Sequence, residues 1–74
     1  MLKIAEGISL AELEKYGFEK EYIVFDWCYR KDFIDFEYKE NIVVWCDSRE
    51  VQVEGAELLD TLYDLIQAGI VVKE

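Results

Sequence analysis

YIVFDWCYRKDFIDFEYKENIVVWC, residues 22–46, gathers Tyr22, Phe25, Trp27, Tyr29, Phe33, Phe36, Tyr38 and Trp45 into one run. Its alternation has the period of two that marks β-strands. From Tyr22 to Arg30 the pattern places Ile23, Phe25, Trp27 and Tyr29 on one face, and Tyr22, Val24, Asp26, Cys28 and Arg30 on the other. Lys31 and Asp32 suit a polar turn, after which Phe33 to Tyr38 alternates again. A second turn at Lys39, Glu40 and Asn41 leads to a third strand, Ile42 to Cys46. A bulge or turn is expected at Asp47 to Arg49. Glu50 to Val53 then resumes extended with Val51 and Val53 inward, either as a fourth strand or as the continuation of a bent third one.

Helical signals lie on both sides of this run. Ser9 and Glu12 have the spacing of a capping box, with Ile8 and Leu13 at the staple positions. Gly17 suits the left-handed stop that returns Phe18 onto Leu13, so a helix of about Leu10 to Tyr16 is expected. It is too short to persist alone and must pack. Toward the other end Leu58, Leu59, Leu62, Leu65 and Ile66 recur at helical spacing, Gly69 suits the same kind of stop, and Ile70 would return onto Leu65. Ile70, Val71 and Val72 could then form a short edge strand beside Leu2 to Ile4. The expected fold is α+β, ordered α-β-β-β-α. It is an antiparallel three-stranded meander, four-stranded if Glu50 to Val53 counts separately, with the C-terminal helix packed on one face.

Composition narrows the function classes. A chain of 74 residues makes one domain, 1–74, and hydrophobic content of 53% argues for a folded one. Seventeen acidic against 8 basic residues, net −9, leave no basic patch for phosphates, so direct nucleic-acid binding is not expected. Anionic membranes are disfavoured for the same reason. The unbroken apolar run Ile42 to Cys46 is far too short to span a bilayer, and Lys3, Glu6 and Glu12 interrupt any signal-peptide core. A soluble cytoplasmic protein is expected.

No residue set points to catalysis. There is no histidine to activate Ser9 or Ser48, which read as a helix cap and a turn residue, and the four glycines are isolated rather than forming a phosphate loop. Cys28 and Cys46 lack the CxxC and histidine partners of a zinc site, and read as reduced, buried thiols or a redox-sensitive cross-strand pair. Asp26, Asp32, Asp35, Glu37 and Glu40 match no calcium loop and read as surface charge that protects strand edges. Neither an enzyme, a cofactor nor a metal is expected.

Two surfaces remain as candidates. Both faces of the first and third strands are apolar, more than one helical stripe covers, so an aromatic sheet surface is expected to bind a protein partner, with Trp27, Tyr29 and Trp45 as anchors. Such a surface would also make the chain a homodimer. Alternatively Glu57, Asp60 and Asp64, at i, i+3 and i+7 of one helix, could imitate a phosphate backbone and occupy a DNA- or RNA-binding protein as an acidic decoy.

The segments LEKYGF, Leu13 to Phe18, and LYDLIQAGIVVKE, Leu62 to Glu74, make the chain similar to small uncharacterised proteins encoded by bacteriophages and prophages of Gram-positive bacteria. The resemblance implies an accessory phage protein that binds a host or phage partner. It implies no catalytic or binding residue.

Overall fold

A computed structural model describes residues 1–34 and 39–74. In chain order it shows β1 (Leu2–Ile4), a 3-10 helix (Leu10–Tyr16), β2 (Glu19–Ile23), β3 (Asp26–Ile34), β4 (Lys39–Trp45), β5 (Glu50–Glu54), α1 (Leu59–Gln67) and β6 (Val71–Lys73). Among the described residues the six strands form one sheet in the order β2-β3-β4-β5-β1-β6, antiparallel throughout. Strands β2 to β5 are a meander of hairpins. The chain then crosses over through α1, and β6 pairs with β1 on its far side. The architecture is α+β with the C-terminal helix on one sheet face, but it holds more strands than expected.

The differences begin in the aromatic run. The expected single strand from Tyr22 to Arg30 is two strands: Ile23 pairs with Asp26 across a two-residue turn at Val24 and Phe25. Lys31 and Asp32, expected as a turn, lie mid-strand in β3 opposite Ile42 and Asn41. Lys39 to Asn41, also expected as a turn, already belongs to β4, while the expected strand residues Asp35, Phe36, Glu37 and Tyr38 lie outside the described residues. Glu50 to Val53 is part of a separate strand, since Asn41, Ile42, Val43 and Val44 pair with Glu54, Val53, Gln52 and Val51.

Register explains where the core sits. Tyr29, Val44, Val51 and Leu2 fall in one cross-strand row, with Ile42 and Val53 in the next beside Lys31, so the middle of one face is apolar. Leu13 and Phe18 from the 3-10 helix region, and Leu58, Leu65 and Ile70 around α1, close over that face as one buried cluster. Fully burying side chains such as Leu13, Ile42 and Leu65 stabilises by roughly 1.5–3 kcal/mol each. The opposite face carries Glu19, Arg30, Asp32, Asn41, Gln52 and Glu54 but also Cys28, Val43 and Trp45, so it is mixed in polarity, with Cys28 fully buried. Arg30 there pairs with Glu21 and Asp32, each at 3.1 Å. The third strand keeps the two apolar faces expected of it, Ile42 and Val44 on one and Val43 and Trp45 on the other, whereas the turn at 24–25 reverses the alternation and puts Ile23 and Trp27, expected together, on opposite faces.

Both glycine stops form. Gly17 has φ 89°, and the Phe18 N–H donates to Leu13 O at 3.3 Å. Gly69 has φ 75°, and the Ile70 N–H donates to Leu65 O at 2.9 Å. The capping box closes by half: Ser9 Oγ accepts from Ala11 N–H, whereas the Glu12 carboxylate binds Lys15 instead of turning back to Ser9. Leu58, at the N-terminal cap of α1, and Leu62 and Leu65 on it face the core, but Leu59 and Ile66 stand substantially exposed, so the apolar stripe is narrower than its sequence pattern.

Two cations tie the layers together. Lys31 projects on the core face, where its Nζ donates to Tyr16 O at 2.8 Å and to Thr61 Oγ1 at 3.1 Å, joining the end of the 3-10 helix to α1. Arg49, at φ 63°, donates from one guanidinium nitrogen to Ala5 O at 2.8 Å and Ile8 O at 2.6 Å. Charge-assisted bonds of this kind contribute about 1.5–3 kcal/mol each. Arg49→Ala is expected to lower the thermal midpoint by roughly 10–20 °C, read by circular dichroism, because a domain this size loses about 4–8 °C per kcal/mol. An unchanged midpoint would show that solvent replaces both bonds. Among the described residues no helix is long and apolar enough to cross a membrane.

Candidate functional site: the β2–β3 hairpin tip and its cleft

The β2–β3 turn combines two unusual properties. Val24 and Phe25 both have positive φ, 50° and 67°, the combination a type I′ turn requires and one that Asn-Gly ordinarily supplies. For residues with a Cβ the left-handed region costs about 1–2 kcal/mol each, and a β-branched Val is among the least suited. These strained residues also hold their side chains in water: Val24 is 78% and Phe25 85% exposed. Beside them Tyr22 is 56% and Trp27 52% exposed. The tip is an apolar projection of four side chains beyond the part of the sheet that the helices cover.

The tip is ordered by its own contacts. Tyr22 and Trp27 are cross-strand partners, their ring centroids 5.1 Å apart at an interplanar angle of 56°. The Lys20 ammonium lies 5.1 Å from the centre of the Trp27 ring, a cation–π arrangement. Glu19, Lys20 and Glu21 put alternating charge along the outer edge of β2, which discourages indiscriminate strand pairing there.

A cleft of about 220 Å³ opens next to the tip, lined by Asp26, Trp27, Trp45, Asp47 and Ser48. It lies where β3 begins and β4 ends, and the Cys46 N–H donating to Trp27 O at 3.0 Å holds these ends together. Trp27 and Trp45 leave the sheet on opposite faces by register, and both residues line this cleft at the end of the strands.

The three expected anchors therefore separate. Trp27 belongs to tip and cleft, and Trp45, half-buried, belongs to the cleft. Tyr29 is 6% exposed and packs in the core, so no partner reaches it without unfolding. Of the acidic set, Glu57 precedes α1 rather than sitting on it, and its N–H donates to Glu40 Oε2 at 2.8 Å. Asp60 and Asp64 are on the helix, one turn apart and exposed.

Sequence reading missed Val24, Phe25, Asp26, Asp47 and Ser48. The turn carries no Asn, Gly or Asp at its two centre positions, so no composition signal was available for it.

Cys28 pairs with Trp45 across the strands, which sets the Cys28 and Cys46 side chains on opposite faces, and both are free thiols. Burial raises both above the ordinary cysteine range, with Glu21 adding to the rise at Cys28. Raised thiols hold little thiolate near neutral pH and make weak nucleophiles. Among the described residues no group of acidic and cysteine side chains is arranged to hold a metal ion.

By fold and site the chain is thus a small α+β domain with an apolar hairpin tip and an acidic aromatic cleft. No family model matches it, and the searches of curated proteins and of solved structures return no match.

Proposed function

We propose that this chain is a non-enzymatic protein–protein interaction module that binds through the β2–β3 hairpin tip, an accessory protein of the sort the phage resemblance suggests. The observation that carries the reading is the pairing of strain with exposure at Val24 and Phe25. Residues held in disfavoured conformations persist where the surrounding structure over-determines them, and they concentrate at ligand-binding sites. Here the tip offers apolar surface that the domain's own core leaves uncovered, with Tyr22 and Trp27 of the residue types that dominate binding hot spots. A second copy of the chain is one occupant of such a tip, so the homodimer belongs to the same proposal. The acidic-decoy reading retains Asp60 and Asp64 on the helix, but loses the regular three-residue stripe because Glu57 lies outside it.

Site-directed photo-cross-linking tests this in cells that naturally express the protein. A photoreactive phenylalanine analogue placed at position 25 should cross-link one discrete protein, either a partner or a second copy. The same analogue at position 64 should not. Capture at 64 alone would transfer the function to the acidic helix, and capture at neither position would remove the interaction reading.

A further inference from the structure

The cleft beside the hairpin tip has a chemistry of its own. Its lining residues are two tryptophans, two aspartates and one serine, and among the described residues no Lys or Arg lines it. Cations close by in chain or register are otherwise engaged: Arg49 donates to Ala5 and Ile8, Arg30 pairs with Glu21 and Asp32, and Lys20 lies over the Trp27 ring. Resting on the interaction reading, we infer that the cleft binds an arginine side chain of a basic partner, with the guanidinium against Trp45, which shares a sheet face with Asp26, and its N–H groups directed to Asp26 and Asp47.

Three observations converge on this chemistry. An indole face attracts cations through its quadrupole, and the protein's own Lys20 already does this to Trp27 at 5.1 Å. Carboxylates at the same mouth favour a cation that also donates hydrogen bonds. A planar guanidinium meets both demands, since it stacks on aromatic rings and donates paired N–H bonds to carboxylates, whereas a quaternary ammonium donates none. The net charge of −9 additionally draws a basic chain toward the domain. The cleft also continues the hairpin tip, because Asp26 and Trp27 follow directly on Val24 and Phe25. A partner segment with an apolar residue for the tip and an arginine a few residues away would engage both.

The test uses the intact protein, in which Trp27 and Trp45 are the two tryptophans and both line the cleft, so indole fluorescence reports occupancy directly. The probe is the tripeptide acetyl-Gly-Arg-Gly-amide, compared with its neutral citrulline counterpart and with tetramethylammonium chloride at equal ionic strength. The expected result is a saturable change with the arginine peptide that is at least about tenfold weaker with citrulline, the difference made by a charge-assisted pair. Asp47→Asn should weaken arginine binding by about threefold to tenfold, whereas Glu14→Gln, an equal change of net charge far along the chain, should leave it unchanged.

Equal responses to arginine and citrulline, or no saturable response, would overturn the inference. Tetramethylammonium binding as tightly as the arginine peptide would also overturn it, by assigning the cleft to quaternary ammonium groups. Any of these results, together with intact cross-linking at position 25, would leave the interaction module standing and remove only the arginine site.

Discussion

Replacing Val24 and Phe25 together by Asn and Gly should make the domain more stable and abolish its association with a partner. The double variant supplies residues that adopt positive φ readily, relieving strain of about 1–2 kcal/mol at each position. Glycine's extra unfolded-state entropy offsets this by up to about 1 kcal/mol, leaving a gain of roughly 1–3 kcal/mol. At this chain length the thermal midpoint should rise by about 5–20 °C. The same change removes the two most exposed apolar side chains of the tip. Few functional substitutions separate stability and binding so cleanly, because loss of binding normally accompanies loss of fold. A midpoint that falls would show that Val24 and Phe25 suit the turn after all. Undiminished cross-linking from a neighbouring position such as Tyr22 would show that the tip is not the binding surface.

The second large effect separates Tyr29 from Trp27, two residues apart on the same strand face. Tyr29→Ala is expected to destabilise the protein by about 3–5 kcal/mol, because it opens a void beneath the helices in a row shared with Val44 and Val51. The total stability of a chain this length is of the order of 4–11 kcal/mol, so the variant should lose a large share of it and unfold at a much lower urea concentration. Trp27→Ala loses the tilted pairing with Tyr22 and the Lys20 cation, together about 1–2 kcal/mol, and should remain folded. Urea denaturation followed by far-ultraviolet circular dichroism decides between these outcomes. Comparable destabilisation of the two variants would place Trp27 in the core and weaken the case for the tip.

The contrast has a physical origin that alternation alone does not reveal. Period two assigns Trp27 and Tyr29 to one face, correctly, but the helices cover only part of that face. The 3-10 helix and α1 converge over Lys31, which bonds both, and the cover ends before the hairpin tip. Tyr29 lies beneath the cover and Trp27 beyond it. The aromatic excess of the run thus divides, with Tyr29 serving the core while Tyr22, Phe25 and Trp27 stand out in solvent.

Other parts of the fold were legible because their signals are local. Ser9 and Gly17 bracket the 3-10 helix as expected, and Gly69 stops α1 with Ile70 returning onto Leu65. Those stops depend on backbone conformations that glycine alone adopts without strain, and on contacts a few residues apart. The pairing of Val71 and Val72 with Ile4 and Lys3 was likewise visible as two short apolar ends without other partners. The turn at Val24 and Phe25 was hidden for the opposite reason, since both residues prefer extended backbone.

Local chemistry therefore set the helix ends, the helical spacing of the apolar residues of α1 and the extended character of the central run, each settled by neighbours within a turn or a strand. Where the run reverses, which of its aromatics are covered, and that Trp27 and Trp45 share a cleft with Asp26 and Asp47 were decided only by the assembled sheet. The pairing of β2 with β3, and the burial of Tyr29, Ile42 and Val44 against the helices, together outweigh the few kcal/mol by which Val24 and Phe25 resist their turn. Long-range pairing and burial, summed over many residues, override a local preference that two residues express.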